Sequence, residues 1–156
     1  MIESLNALLA SWRGTRSITL AFLEELSDAD LDRVLPRKVL NTIRLQAYEL
    51  TLFQRDIVNA LSTDTLAYEE EYIYVKMPTA DIIAKMVELD ARLEKALKRL
   101  TGTESMDYYG EQINVHHAIS MMIGHEEMHI GQIIAFCYAV GIDIPARVSE
   151  PLALEG

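Results

Sequence analysis

Two histidines, His125 and His129, stand four residues apart in the stretch HEEMH, and their spacing suits metal binding. On an α-helix, residues i and i+4 lie on one face, one turn apart, so both imidazoles can reach the same point. Imidazole nitrogens are common ligands of zinc and of other first-row transition metals. The pair therefore predicts a metal site, and a metal-free hydrogen-bond network is the alternative interpretation.

A metal site needs more than these two ligands, because zinc sites normally use three or four protein ligands. The chain has four histidines, but His117 lies two turns before His125, about 12 Å along a helix axis, and His116 faces another side. The third ligand is then expected to be an oxygen, with Glu49 and Gln46 as candidates. Two histidines and a carboxylate leave coordination positions open, as in catalytic zinc or non-haem iron sites.

The same stretch matches the H-E-x-x-H pattern of zinc peptidases, in which Glu126 would be the general base. The continuation argues against a peptidase, because Gly131 follows His129 by two residues instead of three and no later histidine exists. We expect Gln132 and Glu126 to lie next to the metal ligands without binding the metal, and Gln132 to orient one ligand by a hydrogen bond. The spacing assigns no residue a catalytic role.

Composition limits the possible partners. The chain has 156 residues, of which 50% are hydrophobic, and it carries a net charge of −10. A single domain over residues 1–156 is expected, without nucleic-acid or anionic-membrane partners, because both attract basic proteins. The N-terminus lacks the features of a signal peptide and no apolar run approaches ~18 residues. One cysteine, Cys137, fits a reducing compartment, so we expect a cytoplasmic protein.

Four amphipathic segments are predicted as helices because their apolar residues recur every three or four positions. They run from about 5 to 26, from about 38 to 61, from Pro78-Thr79 to Gly102, and from about 113 to 140. The intervening segments 66–78 and 101–110 are expected to be irregular, without strands that matter to the fold. The pattern predicts an all-α protein, an up-down four-helix bundle.

The helical seams place a polar cluster in the predicted core. His125, His129 and Gln132 fall on the seam of the fourth helix, Gln46 falls on that of the second, and Glu49 lies slightly off it. Buried polar groups are costly unless they are paired. A metal ion or a closed hydrogen-bond network would supply that pairing.

These residues resemble the DinB/YfiT-like superfamily of bacterial four-helix proteins, over nearly the whole chain. The resemblance is carried by His125-Glu126-x-x-His129-x-Gly131-Gln132-Ile133 and by Gly141-Ile142-x-Ile144-Pro145. It implies an up-down bundle, usually a homodimer. It also implies a divalent metal, often zinc or nickel, on one histidine of the second helix and two of the fourth.

The fourth-helix pair of that pattern maps onto His125 and His129, but the second-helix histidine has no counterpart. The best register puts Gln46 in its place, with Glu49 three residues on and Arg44 as the other candidate. Characterised relatives include S-transferases that use low-molecular-weight thiols. The resemblance therefore implies a metal-dependent thiol S-transferase acting on small electrophiles, in which the metal favours the thiolate. The alternative is a non-catalytic ligand-binding or dimerisation bundle whose metal site has been lost.

Overall fold

The computed structural model describes residues 2–68 and 77–154, and the expectation of a mostly helical chain is confirmed. The long helices are α1 (Glu3–Glu25), α3 (Ile43–Thr63), α4 (Thr79–Leu97) and α5 (Val115–Val140). Two single-turn helices, α2 (Asp28–Leu31) and α6 (Ala146–Ser149), follow α1 and α5. Within the described ranges, no helix combines the length and the apolar character needed to cross a membrane.

The long helices pack in a cycle. Helix α5 packs against α1 and α3, and α4 packs against the same two helices. Two apolar clusters fill the space between them, one around Trp12 and Ile57 and the other around Phe22 and Met86. The α3–α5 contact is the one that matters for the site, because the two helices carry the polar residues that the sequence placed in the core.

Helix α3 begins five residues later than predicted, which corrects the expected start at Lys38. Leu40 has a positive φ of 51°, which breaks the helical backbone, and the Thr42 hydroxyl caps the helix by accepting from the Leu45 amide. Val39, within the range predicted for this helix, precedes the observed start and is 70% exposed. Helix α4 likewise ends at Leu97, earlier than the predicted Gly102.

The structure also corrects the expectation that no strand matters. Strands β1 (Thr65–Leu66), β2 (Ser105–Tyr108) and β3 (Glu111–Asn114) form a sheet in that order. Strands β2 and β3 are antiparallel, and Tyr109 and Gly110 between them both have positive φ, as a tight hairpin turn requires. Asn114 then caps α5. Of the predicted connector 66–78, residues 69–76 lie outside the described residues.

Candidate metal centre

Glu49 of α3 lies between the two histidines of α5. Its Oε1 is 3.5 Å from His125 Nε2, and its Oε2 is 3.2 Å from His129 Nε2. One ligand atom from each of the three residues lies within 4.8 Å of the others. The i, i+4 spacing thus does what the sequence predicted, since both imidazoles of α5 face one point, and the facing helix supplies a carboxylate there.

Gln46 contacts the ring nitrogen of His129 that faces away from Glu49. Its Oε1 lies 3.1 Å from His129 Nδ1, and both residues are buried. An amide oxygen only accepts hydrogen bonds, so this contact requires a proton on Nδ1. In the neutral ring that leaves a lone pair on Nε2, the atom that faces Glu49. The contact with Gln46 therefore leaves the Nε2 lone pair of His129 facing the Oε2 atom of Glu49, and both of these atoms are hydrogen-bond acceptors.

His125 is positioned by a ring contact, and no hydrogen bond among the described residues sets its tautomer. Its ring stacks on Phe53 with centroids 3.9 Å apart, which fixes the ring plane, and its Nδ1 has no hydrogen-bond partner within the described residues. Burial lowers the pKa of His125, against an opposing effect of the Glu49 charge. The imidazole is therefore held toward its neutral, metal-binding form.

The three residues fit a divalent metal ion. Two ligands bound to zinc at ~2.0 Å in tetrahedral geometry lie about 3.3 Å apart. Each Glu49 oxygen is about that far from one imidazole nitrogen, at 3.5 Å and 3.2 Å, and one ligand atom from each of the three residues lies within 4.8 Å of the others. Within the described part of the chain, no lysine or arginine pairs with Glu49, and its buried Oε2 has no hydrogen-bond donor. The His129 side chain is only 3% exposed, whereas His125 and Glu49 are 19% and 24% exposed, so one side of the centre is open.

A comparison with protein families agrees with this geometry. A family model described as the DinB superfamily matches residues 11–133, which include both histidines and Glu49. The chain belongs to the DinB superfamily. No curated protein matches it. The resemblance drawn from the fourth-helix motif is thereby confirmed, and a possible metal-binding triad of Glu49, His125 and His129 accompanies it.

In this DinB superfamily member, the α3 side chain that lies closest to both imidazoles is Glu49, three residues after Gln46, which the register puts in place of the unmatched histidine. The α3 segment contains no histidine, and Arg44, the other candidate for that place, is bound to Asp28 and Asp32 instead. Gln46 contacts Nδ1 of His129, whereas Glu49 contacts Nε2 of both His125 and His129. The two oxygens that sequence reasoning left as alternatives thus hold different places.

Glu126 points away from the histidines. It is 1% exposed, with Oε2 2.8 Å from Arg16 Nη2 and Oε1 accepting a hydrogen bond from the Thr19 hydroxyl at 2.6 Å. Burial raises the pKa of Glu126, and the Arg16 charge opposes that rise. A carboxylate bound in this way is not placed to activate a water at the centre, which agrees with the argument against a peptidase.

Gln132 lies one turn beyond His129, and the hydrogen bond that the structure shows for it goes elsewhere. Its Oε1 accepts from Arg37 Nη1 at 2.6 Å, and the Arg37 guanidinium also lies 5.9 Å from the centre of the Phe136 ring. Gln132 therefore joins the segment before α3 to α5, in contrast to its expected role of orienting a ligand.

Sequence reasoning missed Phe53 as the partner of His125 and Arg16 as the partner of Glu126. Arg16 lies in the core with only 2% exposure, whereas the hydroxyl of its neighbour Thr15 donates to Glu127 near the surface. The available signal was position, because Arg16 follows Trp12 by four residues and precedes Thr19 by three.

Proposed function

We propose that this protein binds a divalent metal ion through Glu49, His125 and His129 and transfers an external thiol to a small electrophile. The observation that carries the proposal is the convergence of three potential ligand atoms on one point without a lysine or arginine paired to them among the described residues. Such a cluster is costly when buried, and a divalent cation removes that cost. Zinc and nickel suit imidazole and carboxylate ligands, and iron is a further candidate.

When bound, the metal ion would supply a positive charge that stabilises a thiolate, the nucleophilic form of a thiol. The residues prepare the place for it: Gln46 holds the His129 ring, Phe53 holds the His125 ring, and Glu49 supplies a negative charge. The exposed sides of His125 and Glu49 leave room for the thiol. In the reaction the thiol gives its proton to bulk water, its sulfur forms a bond to the electrophilic carbon, and the bond from that carbon to the leaving group breaks, so that the leaving group departs with the electron pair.

The thiol must come from outside the chain. Cys137, the single cysteine, is buried on α5, two turns beyond His129. Burial raises the pKa of its thiol to about 11, so it is a poor source of thiolate at neutral pH. A low-molecular-weight thiol is therefore the proposed co-substrate.

The resemblance further supports proposals about assembly and location. We propose that the four long helices run up and down as a bundle and that the protein is a cytoplasmic homodimer. Light scattering coupled to size-exclusion chromatography tests the assembly, with a mass of twice 17.6 kDa expected. A mass of 17.6 kDa at micromolar concentration would contradict it.

The activity test measures the loss of free thiol in the presence of a model electrophile such as monochlorobimane. Zinc-loaded and nickel-loaded protein are each offered several thiols, and His125→Ala with His129→Ala serves as the ligand-free variant. The expected result is thiol consumption that needs both the metal and the two histidines. Equal rates for wild type and variant with every thiol would refute the transferase.

One observation favours a second candidate, a non-catalytic bundle in which the polar cluster is closed by protons. The Gln46–His129 contact would persist without metal, and a proton on either Nε2 would bond Glu49. In that case a strong chelator leaves the melting temperature of the wild type unchanged, whereas loss of a bound ion lowers it.

A further inference from the structure

Beside the candidate metal centre lies a second polar cluster that takes one residue from each long helix and is buried except at Asp90, whose side chain is 29% exposed. It consists of Arg16 of α1, Gln54 of α3, Asp90 of α4 and Glu126 of α5. Arg16 and Glu126 side chains are 3% and 1% exposed, and Gln54 is fully buried. Gln54 also donates from Nε2 to Asp90 Oδ1 at 2.7 Å. The cluster thus spans the bundle at one level.

The guanidinium of Arg16 joins the two helices that carry the metal ligands. Its Nη2 donates to Gln54 Oε1 on α3 at 2.9 Å and lies 2.8 Å from Glu126 Oε2 on α5. Gln54 follows Phe53, the residue that stacks on His125, and Glu126 follows His125 directly. One nitrogen atom therefore fixes the facing surfaces of α3 and α5 next to the ligands.

Helix geometry makes this attachment selective for rotation. Successive residues are turned by about 100°, so Glu126 points to a different side of α5 from the histidines, toward α1. The Thr19 hydroxyl on α1 donates a hydrogen bond to Oε1, the other oxygen of the Glu126 carboxylate. These two contacts hold Glu126 toward α1, and at that rotation of α5 both His125 and His129 face Glu49.

Stability does not account for this cluster, because replacing a buried ion pair with apolar side chains of similar size is often neutral or stabilising. We propose that Arg16 and Glu126 are positioning residues that set the rotation of α5 and so bring His125 and His129 to bear on Glu49. This inference rests on the proposed metal site and adds the part of the core that shapes it. Removing the pair should then weaken metal binding without weakening the fold.

The test replaces the pair with apolar residues, Arg16→Met with Glu126→Leu, and measures thermal unfolding and cobalt(II) binding. The matched control is Arg13→Met with Glu94→Leu, which removes an ion pair of 2.6 Å between α1 and α4 and leaves α3 and α5 untouched. Cobalt(II) reports the arrangement of its ligands through its visible absorption bands. We expect an unchanged or higher melting temperature, a cobalt affinity about ten-fold lower, and altered bands for the first variant alone.

Unchanged cobalt affinity and bands in the folded double variant would overturn the inference. If the double variant fails to fold, Glu126→Gln replaces it, since the amide keeps the shape of Glu126 and can still accept from Thr19. That variant is expected to show a smaller loss of affinity with the same change in the bands, and bands like those of the wild type would again overturn the inference.

A second readout needs no metal and separates this inference from the proposed function. If the wild type binds no cobalt, the proposed function fails, and the rotation of α5 is then judged from nuclear Overhauser contacts between the Phe53 and His125 rings. The wild type should show the contact, and the Arg16→Met, Glu126→Leu variant should lose most of it. Contacts of equal strength in both proteins would refute the positioning role.

Discussion

The same α3 and α5 helices carry two buried polar clusters that differ in one respect, the source of positive charge. The cluster around Arg16 contains its own cation, which faces Glu126 at 2.8 Å and Asp90 at 3.7 Å. The cluster around Glu49 contains a carboxylate and two imidazoles, whose Nε2 atoms lie 3.5 Å and 3.2 Å from the carboxylate oxygens. The first therefore has a protein cation beside its carboxylates, whereas no lysine or arginine among the described residues pairs with Glu49 in the second. The difference teaches that a polar core residue becomes a ligand candidate through what its neighbours fail to supply.

The largest effect on stability is expected when one partner of the Arg16–Glu126 ion pair is removed. Arg16→Met leaves the Glu126 carboxylate buried without its cation, which typically costs 3–5 kcal/mol when one partner of a buried pair is removed. We expect the free energy of unfolding in urea to fall by about that amount, and far less in the Arg16→Met, Glu126→Leu variant. A single variant as stable as the wild type would mean that Arg16 does not balance this charge.

Changes in the Glu49 cluster should lower metal affinity, in contrast to the loss of stability expected in the Arg16 cluster. His129→Ala removes the most buried of the three ligands and should lower zinc affinity by at least ~100-fold, since losing a direct ligand costs more than losing its supporting partner. Competition titration with a chromogenic chelator measures it. His117→Ala is the control, because that exposed histidine lies at the start of α5. Equal losses in both variants would place the metal elsewhere.

Supporting contacts should matter less than the ligands. Gln46→Met removes the amide that bonds His129 Nδ1 and keeps a side chain of similar length. Partners of this kind usually contribute 10- to 100-fold in metal affinity, and we expect a zinc affinity lower by about ten-fold. An unchanged affinity would show that Gln46 neither holds the His129 ring nor binds the metal itself.

Metal removal should test the contribution of a bound ion at the Glu49 cluster to the stability of the fold. At an ion concentration 100 times its dissociation constant, binding stabilises the native state by about 2.7 kcal/mol. For a chain of this size that corresponds to a melting temperature about 5–10 °C higher. A strong chelator should abolish the increase in the wild type and change nothing in the His125→Ala, His129→Ala variant. A chelator effect of equal size on both proteins would contradict a site at these histidines.

The smallest effect is expected outside both clusters, at the partly exposed carboxylate of Glu104. The Thr101 amide and hydroxyl hold Glu104, and the Gly102 amide also bonds it, which lowers its pKa to about 2. The stabilisation is therefore full above the ordinary glutamate pKa and is lost as the pH falls through about 2. Glu104→Gln should flatten the acid limb of the melting curve slightly. A large loss at neutral pH would be inconsistent with its exposure.

The sequence was sufficient for what depends on periodicity. The spacing of His125 and His129 predicts their common face, and their position on the apolar seam predicts burial. Glu49 was reachable as one of two oxygens, because it lies just off the seam of the facing helix. A choice between Glu49 and Gln46 requires the relative rotation of α3 and α5, which no single-helix pattern contains.

The failures have local physical causes. Helix α3 starts late because Leu40 takes a left-handed backbone conformation, which leucine rarely does and which its type does not signal. The hairpin depends on a two-residue turn at Tyr109-Gly110, too short to affect helical periodicity. Arg16 was overlooked because an arginine is ordinarily exposed, and its burial makes sense only beside Glu126 of a distant helix.

The most direct test of the central claim is the metal content of untagged protein, measured by inductively coupled plasma mass spectrometry beside the His125→Ala, His129→Ala variant. The account predicts close to one equivalent of zinc, nickel or iron in the wild type and none in the variant. No metal in either protein after loading with zinc would contradict it, and the Glu49 cluster would then be a hydrogen-bonded part of the core.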